Sequence, residues 1–554
     1  MNRSLCVILV LTLAAGTGGC GGQTAESGSA AGPQRRRPNI LLVVWDTVRA
    51  DRLSLYGYQR PTTPRLDKLA RHAVVFENCV AAGSTTVPAH ASMFTGLLPS
   101  EHGVSNERPL LADKFVTLAE SLRQAGYATY AFSENPHLCR ETRLMQGFEV
   151  VEHPWSDKYA QQALRITLEK RFGRGNIDEM MARMSGTDLK KLQWKIKAAG
   201  TLAQRGVLDW LSAQPAERPF FVFINYMEAH RPLTPSRSYR ERLMTPEQLR
   251  ASYQPPRSFV DLWSYVFGLR AARPGELELT QARYDACLAE LDDLFGDLLN
   301  ALGSAGRLEN TAVILVADHG EHLGEHHLLD HQFSVYEPLM HVPLVIWYPE
   351  RLEPRRRSEP VCNVDIYPTV LELAGVEPAV RSSAVSLLAP RAQRDRLGEC
   401  PEPMYGAFRI VRQQYPDFDP TPWRRSLRAF YSGSLKLIAG SDGRVELYDL
   451  AADPGEQHDL SRARPELLGR LKQRLAAMLG ELRPRPERAA RPGHLRDSGV
   501  LRRLEQIGYV GGGSDDDEED DTPPGPTSRP APTSRPASRP VEVPWARIFH
   551  RVIR

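Results

Sequence analysis

Between Pro38 and about Gly375 the chain alternates strand-length apolar runs with amphipathic stretches, and this limits the folds open to it. PNILLVVW, PFFVFINYM and TAVILVA are continuously apolar, the pattern of parallel strands covered on both faces. Helical periodicity occupies 63–72, 117–125 and 280–302, and shorter strands are expected at 74–76 and 128–132. A charged, less regular helical region covers 158–211, an aromatic-rich insert 239–266, and HVPLVIWYP and NVDIYPTVLELAG add two further βα-like units. The fold class is therefore α/β, a large mainly parallel or mixed sheet sandwiched by helices. Ligands in such sheets gather at the C-terminal ends of strands. Asp46, His230 and the pair Asp318-His319 follow three of the apolar runs directly or closely.

The flanks differ in character. Residues 1–20 combine Arg3, an apolar run from Leu5 to Ala15 and small residues before Cys20, which is a secretory signal too short for a membrane span. Small residues before a cysteine are the pattern of a bacterial lipoprotein signal, although Thr17 stands where Leu is usual. The chain is expected to be exported to a bacterial cell envelope, periplasmic or held to the membrane by a lipid on Cys20. Residues 21–37 form a flexible tether and 38–400 the main domain. SLKLIAG, GRVELYDL and an amphipathic helix give 401–485 the look of a small α+β subdomain. A connecting segment, 486–510, precedes an acidic run and Ser-Arg-Pro repeat at 511–540 that cannot bury a core; 541–554 regains apolar and basic character. With 70 basic and 67 acidic residues, net charge +3, nothing points to a nucleic-acid partner. Seven widely spaced cysteines, none in a Cys-x-x-Cys pair, exclude a zinc ribbon and a dense disulfide framework. One or two disulfides stay open, without an assignable pairing.

Two stretches carry chemistry. STTVPAHASMFTG, Ser84 to Gly96, turns from loop into helix, with Pro88 in the first turn and the Thr86 hydroxyl at the open helix N-terminus. Taken alone, Thr86 is either a cap or a nucleophile. DHGEHLGEHHLLDH, from Asp318 to His331, is dense in hard oxygen and imidazole donors that suit one divalent ion, Ca²⁺, Mn²⁺, Mg²⁺ or Zn²⁺. Asp46 can supply a ligand from another strand end. Arg49 and Asp51 are expected to fix the loop after Asp46 as an ion pair. His102 reads as a structural turn residue, and His90 reads equally well as the cap of its own helix.

PNILLVVWDTVRADRLSLYGY, TPRLDKLA, the Thr86 loop with SMFTGLLPSEHGV, NYMEAHRP, DHGEHLGEH, YEPLMHVPLVI and ELYDLAADPGEQHDL, in this order, closely resemble the sulfatase family of the alkaline phosphatase superfamily. The resemblance covers Pro38 to about Leu460. It implies a large α/β sandwich followed by a smaller C-terminal sheet. It puts Asp46, Asp318 and His319 on metal-ligand positions and Thr86 on the nucleophile position, where it also touches the metal. His90 falls where sulfatases place the Arg that steadies the nucleophile loop. His230 matches a His near the leaving group, and His331 stands where many sulfatases have an anion-gripping Lys.

The departures from that pattern bear on the chemistry. Sulfatases oxidise the Cys of Cys-x-Pro-x-Arg to formylglycine; here the motif is Thr-Val-Pro-Ala-His, which cannot form it. Thr47 replaces the second Asp of an Asp-Asp pair, and Ser133-Glu134-Asn135-Pro136 replaces Gly-Lys-Trp-His, with loss of both cations. The resemblance with these changes implies a metal-dependent hydrolase acting through Thr86 on phosphoric (diester or phosphonate) or sulfuric esters, small-molecule, glycan or lipid. Two alternatives remain at this level: a phospho-headgroup transferase acting on envelope glycan or lipid, and a non-catalytic binding protein of the same fold.

Overall fold

A computed structural model describes residues 36–172, 177–182, 199–254, 258–379, 382–388 and 394–482. The expected signal, nearly all of the tether, the connecting segment and both tail segments lie outside these residues. The strands of the main sheet are β1 (Asn39–Trp45), β2 (Val74–Val80), β3 (Ala128–Ser133), β4 (Val150–Glu152), β5 (Phe220–Tyr226), β6 (Thr311–Val316), β7 (His341–Trp347) and β8 (Arg355–Arg357). Their order is β8-β2-β7-β6-β1-β5-β3-β4, and the short strand Val361–Cys362 also pairs with β2.

β1 lies between β5 and β6, parallel to both. Central position explains its sequence: Ile40 to Trp45 are all fully buried, so no polar alternation is possible. β7 departs from the expected βα rhythm, because it runs antiparallel to both β2 and β6. Its apolar run would look the same in either direction. The segment from β6 to β7 contains no long crossover helix, only a two-residue ladder of His322–Leu323 with Leu329–Asp330, a 3-10 turn and a four-residue helix, Glu337–Met340, so the chain leaves and re-enters the sheet at one edge. β1, β2, β3, β5 and β6 consequently all end at the edge where that segment lies.

The helices that matter to this edge are α1 (Pro64–Ala70), α2 (Thr86–Thr95), α3 (Leu118–Gln124), α4 (Ala160–Phe172), α5 (Gly200–Ser212), α6 (Arg237–Leu243), α7 (Pro246–Ser252), α8 (Phe259–Val266), α9 (Glu276–Ser304), α10 (Ile366–Ala374) and α11 (Tyr405–Arg412). The aromatic-rich insert thus becomes three short helices. Thr245 opens α7 with a capping box, its hydroxyl accepting the Gln248 N–H at 3.3 Å. α8 and α11 share an aromatic cluster in which Phe267, Phe333, Phe408 and Phe418 are buried together.

A second sheet, β9 (Arg396–Cys400), β10 (Leu427–Ser432), β11 (Leu435–Gly440) and β12 (Val445–Asp449), is antiparallel in sequence order and is followed by α12 (Pro465–Glu481). β9 precedes residue 401, where the small subdomain was expected to begin. It also grips the loop before α2: Ser84 N donates to Glu399 O at 3.0 Å and Glu399 N donates to Ala82 O at 2.9 Å. Cys79, Cys139, Cys287, Cys362 and Cys400 are free, buried thiols, so no disulfide forms among the described residues.

Candidate active site

The strand edge gathers Asp46 after β1, Asn135 after β3, His230 after β5 and Asp318-His319 after β6, with the start of α2 across from them. Asp46, Asp318 and His319 are fully buried and each offers a ligand atom within 4.8 Å of the others. Asp46 uses one carboxylate oxygen, Oδ2, to accept the side-chain amides of Asn135 (2.9 Å) and Asn225 (3.2 Å). Asp318 uses Oδ1 to accept the backbone N–H groups of His319 (2.8 Å) and Thr47 (3.2 Å). The other oxygens, Asp46 Oδ1 and Asp318 Oδ2, are enclosed and accept no hydrogen bond. Buried carboxylate oxygens without a donor are costly, and two of them beside an imidazole nitrogen fit a divalent cation. Burial, with Asp318 beside it, raises Asp46 to about 6, and burial raises Asp318 to about 7, the cost a cation there would offset.

The imidazoles can be assigned tautomers from their partners. His319 Nδ1 donates to Gly320 O at 3.0 Å, which leaves Nε2 as a lone pair 3.3 Å from Thr86 Oγ1. His90 Nδ1 donates to the carbonyl of Thr86 itself at 2.9 Å and lies 3.5 Å from Asp318 Oδ2. Burial lowers both rings to about 3, so they stand neutral. Thr86 opens α2, only 2 % exposed, with Asn135 Nδ2 3.5 Å from its hydroxyl. His90 thus bonds the Thr86 backbone carbonyl from one turn further along the helix.

His230 and His331 stand one layer out. The His331 ring centroid is 4.7 Å from that of His319 and 5.1 Å from that of His230. His331 Nδ1 lies 2.9 Å from Asp330 Oδ1 and 3.1 Å from Glu321 Oε2. Burial alone would discharge this imidazole, but Asp330 and Glu321 outweigh it and raise its pKa well above the usual value. Burial would raise Asp330 too, yet His331 holds it down to about 2.

Thr47 follows Asp46 directly and shapes the turn beside the inner group. Its φ is +62°, a conformation non-glycine residues adopt rarely, and its hydroxyl donates to Asp46 O at 2.7 Å. Tyr284 from α9 donates to Thr47 O at 2.7 Å and accepts Arg49 N–H at 3.0 Å, which pins the turn. Arg49 pairs with Asp51 at 2.7 Å, as expected, and also with Glu325 at 2.8 Å. His102 lies outside the group: its Nδ1 accepts Val104 N–H at 3.0 Å and its Nε2 faces Ser92 Oγ at 3.1 Å.

Asn225 and Tyr284 were not singled out from the sequence; Glu321 and Asp330 were read only as part of the donor-dense stretch, and Asn135 only as part of the segment that lost two cations. Asn225 had a readable signal, a polar residue near the end of an otherwise apolar strand.

The fold and this constellation define a class. The sulfatase family model matches residues 38–376, so the chain belongs to the sulfatase family, and it is an ester hydrolase of that type. A second model, N-sulphoglucosamine sulphohydrolase, C-terminal, matches 324–483. Among individual relatives, the "Uncharacterized sulfatase YidJ" of Escherichia coli is 26% identical over 440 residues, covering 77% of this chain and 83% of its own. An N-acetylglucosamine-6-O-sulfatase of Bacteroides thetaiotaomicron is 26% identical over 489 residues, covering 78% and 84%. The crystal structure of a phosphonate monoester hydrolase of Agrobacterium radiobacter superposes with a TM-score of 0.62 at 21% identity, covering 80% of this chain and 96% of that one. Among the described residues no helix is long and apolar enough to cross a membrane.

Proposed function

We propose that this hydrolase uses the Thr86 hydroxyl as its nucleophile and cleaves phosphorus esters, phosphodiesters or phosphonate monoesters, ahead of sulfate monoesters. Asp46, Asp318, His319 and the Thr86 oxygen would hold one divalent cation. The observation that carries the reading is Thr86 Oγ1, 3.3 Å from His319 Nε2 at the first residue of α2, in a pocket with two orphaned carboxylate oxygens. A divalent cation there supplies two things when bound, a lower hydroxyl pKa and charge withdrawal from an ester oxygen.

The chain's own groups account for the rest. Thr86 Oγ gives up its proton to solvent and attacks phosphorus, and the bond from phosphorus to the leaving oxygen breaks as the new one forms. His230 hands a proton to the departing oxygen. The Asn135 amide and the open N–H groups of the α2 N-terminus stabilise charge on the remaining oxygens. Water then attacks the threonine ester and restores the hydroxyl. The preference for phosphorus rests on the pocket's neutral groups, Asn135 and the uncharged His90, where a sulfatase site has cations. The phosphonate monoester hydrolase likeness bears on the fold alone. The stretch at 1–20 supports export to the cell envelope, where the ester substrate would be a small molecule, glycan or lipid.

The test is to assay the wild-type protein and Thr86→Ala on an aryl phosphodiester, a phosphonate monoester and an aryl sulfate, with metal content measured in parallel. Turnover of the phosphorus esters that disappears in Thr86→Ala, with metal retained, is expected. Sulfate release exceeding phosphorus ester cleavage, or turnover that survives Thr86→Ala, would overturn the reading.

A further inference from the structure

We propose that Glu321, Asp330 and His331 form a second divalent-cation site beside the first, so that the centre takes two cations. Each of the three offers a ligand atom, and these atoms lie within 4.8 Å of one another, as in the Asp46 group. All three are buried, with exposures of 0 %, 6 % and 2 %. Glu321 adds an independent sign. Its Oε2 faces His331 Nδ1 at 3.1 Å, while its Oε1 is enclosed without any hydrogen-bond partner. A buried carboxylate oxygen that meets no donor is costly, and a cation bound there would supply its partner.

The charge of the surroundings points the same way. Asp46, Asp318, Glu321 and Asp330 crowd one strand edge, all buried. Arg231, whose Nε lies 3.8 Å from Asp330 Oδ2, is a cation at the rim with a side chain 21% exposed. A single divalent ion offsets only two of these carboxylates, which leaves Glu321 and Asp330 to a proton on His331 or to a second ion. Two carboxylates and an imidazole suit Mn²⁺ or Zn²⁺. The His331 ring stands between those of His319 and His230, 4.7 Å and 5.1 Å away, so the second ion would neighbour both the inner ligands and His230. Paired ions in such centres clamp both the attacking and the leaving oxygen. The competing occupant is a proton, which makes His331 an imidazolium held between Glu321 and Asp330.

Counting metal separates the two. The full-length protein is stripped with a chelator, dialysed against Mn²⁺, and its bound manganese measured by mass spectrometry. About two ions per chain are expected for the wild type, and about one each for Glu321→Gln and for Asp46→Asn. Asp330→Asn is the second variant in case Glu321→Gln does not fold, with the same expected loss. Anomalous scattering from manganese-loaded wild-type crystals should show a second peak on Glu321, Asp330 and His331. A single ion per chain in the wild type, with one peak on the Asp46 group, overturns the proposal in favour of the imidazolium. The count does not depend on turnover, so it stands or falls apart from the nucleophile assignment.

Discussion

His102 has to remain neutral to hold its turn. Its Nδ1 accepts an N–H from Val104, so protonating that nitrogen breaks the bond inside a closed core, and burial lowers the ring to about 3. An unfolded His titrates near 6.5, so below that pH the unfolded chain binds the extra proton and the folded one does not. Stability is therefore complete above 6.5 and drains away as pH falls towards 3. His102→Asn, which keeps a donor and an acceptor but cannot titrate, should flatten the decline between pH 6 and pH 5 by about 1.4 kcal/mol per pH unit, measured by chemical unfolding. An unchanged slope would mean that His102 titrates freely. At this scale the sequence was informative wherever a polar side chain closes an apolar run: Asp46, Asp318 and His319 were legible for that reason, and Thr86 because Pro88 marks a helix start. Asn135 was harder to read. It sits in a short loop, and its bonds to Asp46 and Thr86 exist only once β1, β3 and α2 meet.

At the level of elements, α9 does more than cover the sheet. Tyr284 projects from it into the turn after β1 and joins the Thr47 carbonyl to the Arg49 amide, so a helix distant in sequence fixes the turn beside Asp46. The periodicity that revealed α9 says that Tyr284 faces inward, but not which turn it meets. Tyr284→Phe leaves two buried backbone groups short of a partner and should cost about 1–3 kcal/mol in unfolding free energy. It should also weaken Mn²⁺ binding, read by calorimetric titration. Full stability with unchanged Mn²⁺ affinity would show that the turn holds itself. The direction of β7 was likewise out of reach, because a strand buried on both faces carries no polar alternation to orient it.

Across the whole molecule, the smaller sheet is tied to the catalytic one by a buried charge cluster. Lys436 on β11, its side chain fully enclosed, lies 2.8 Å from Glu337 and 2.7 Å from Glu456, and Tyr431 on β10 donates to Glu337 at 2.7 Å. Glu337 opens the short helix that leads into β7. Lys436→Ala leaves the buried Glu456 and the half-buried Glu337 without their cation and should lower stability by about 3 kcal/mol in equilibrium unfolding; a loss under 1 kcal/mol, the order of a surface pair, would contradict this. The small subdomain was visible in the sequence as a change of strand pattern, but its edge was not. β9 is short and charged, and its place is set by pairing with β10 and by the loop before α2.

That loop carries the central claim, that Thr86 is the attacking group. The most direct measurement is rapid acid quenching during turnover of an aryl phosphonate monoester, followed by peptide mass analysis. The account predicts a phosphonyl adduct on the peptide containing Thr86 in the wild type and none in Thr86→Ala. Continued turnover by Thr86→Ala, with the wild-type peptide unmodified throughout, would contradict it.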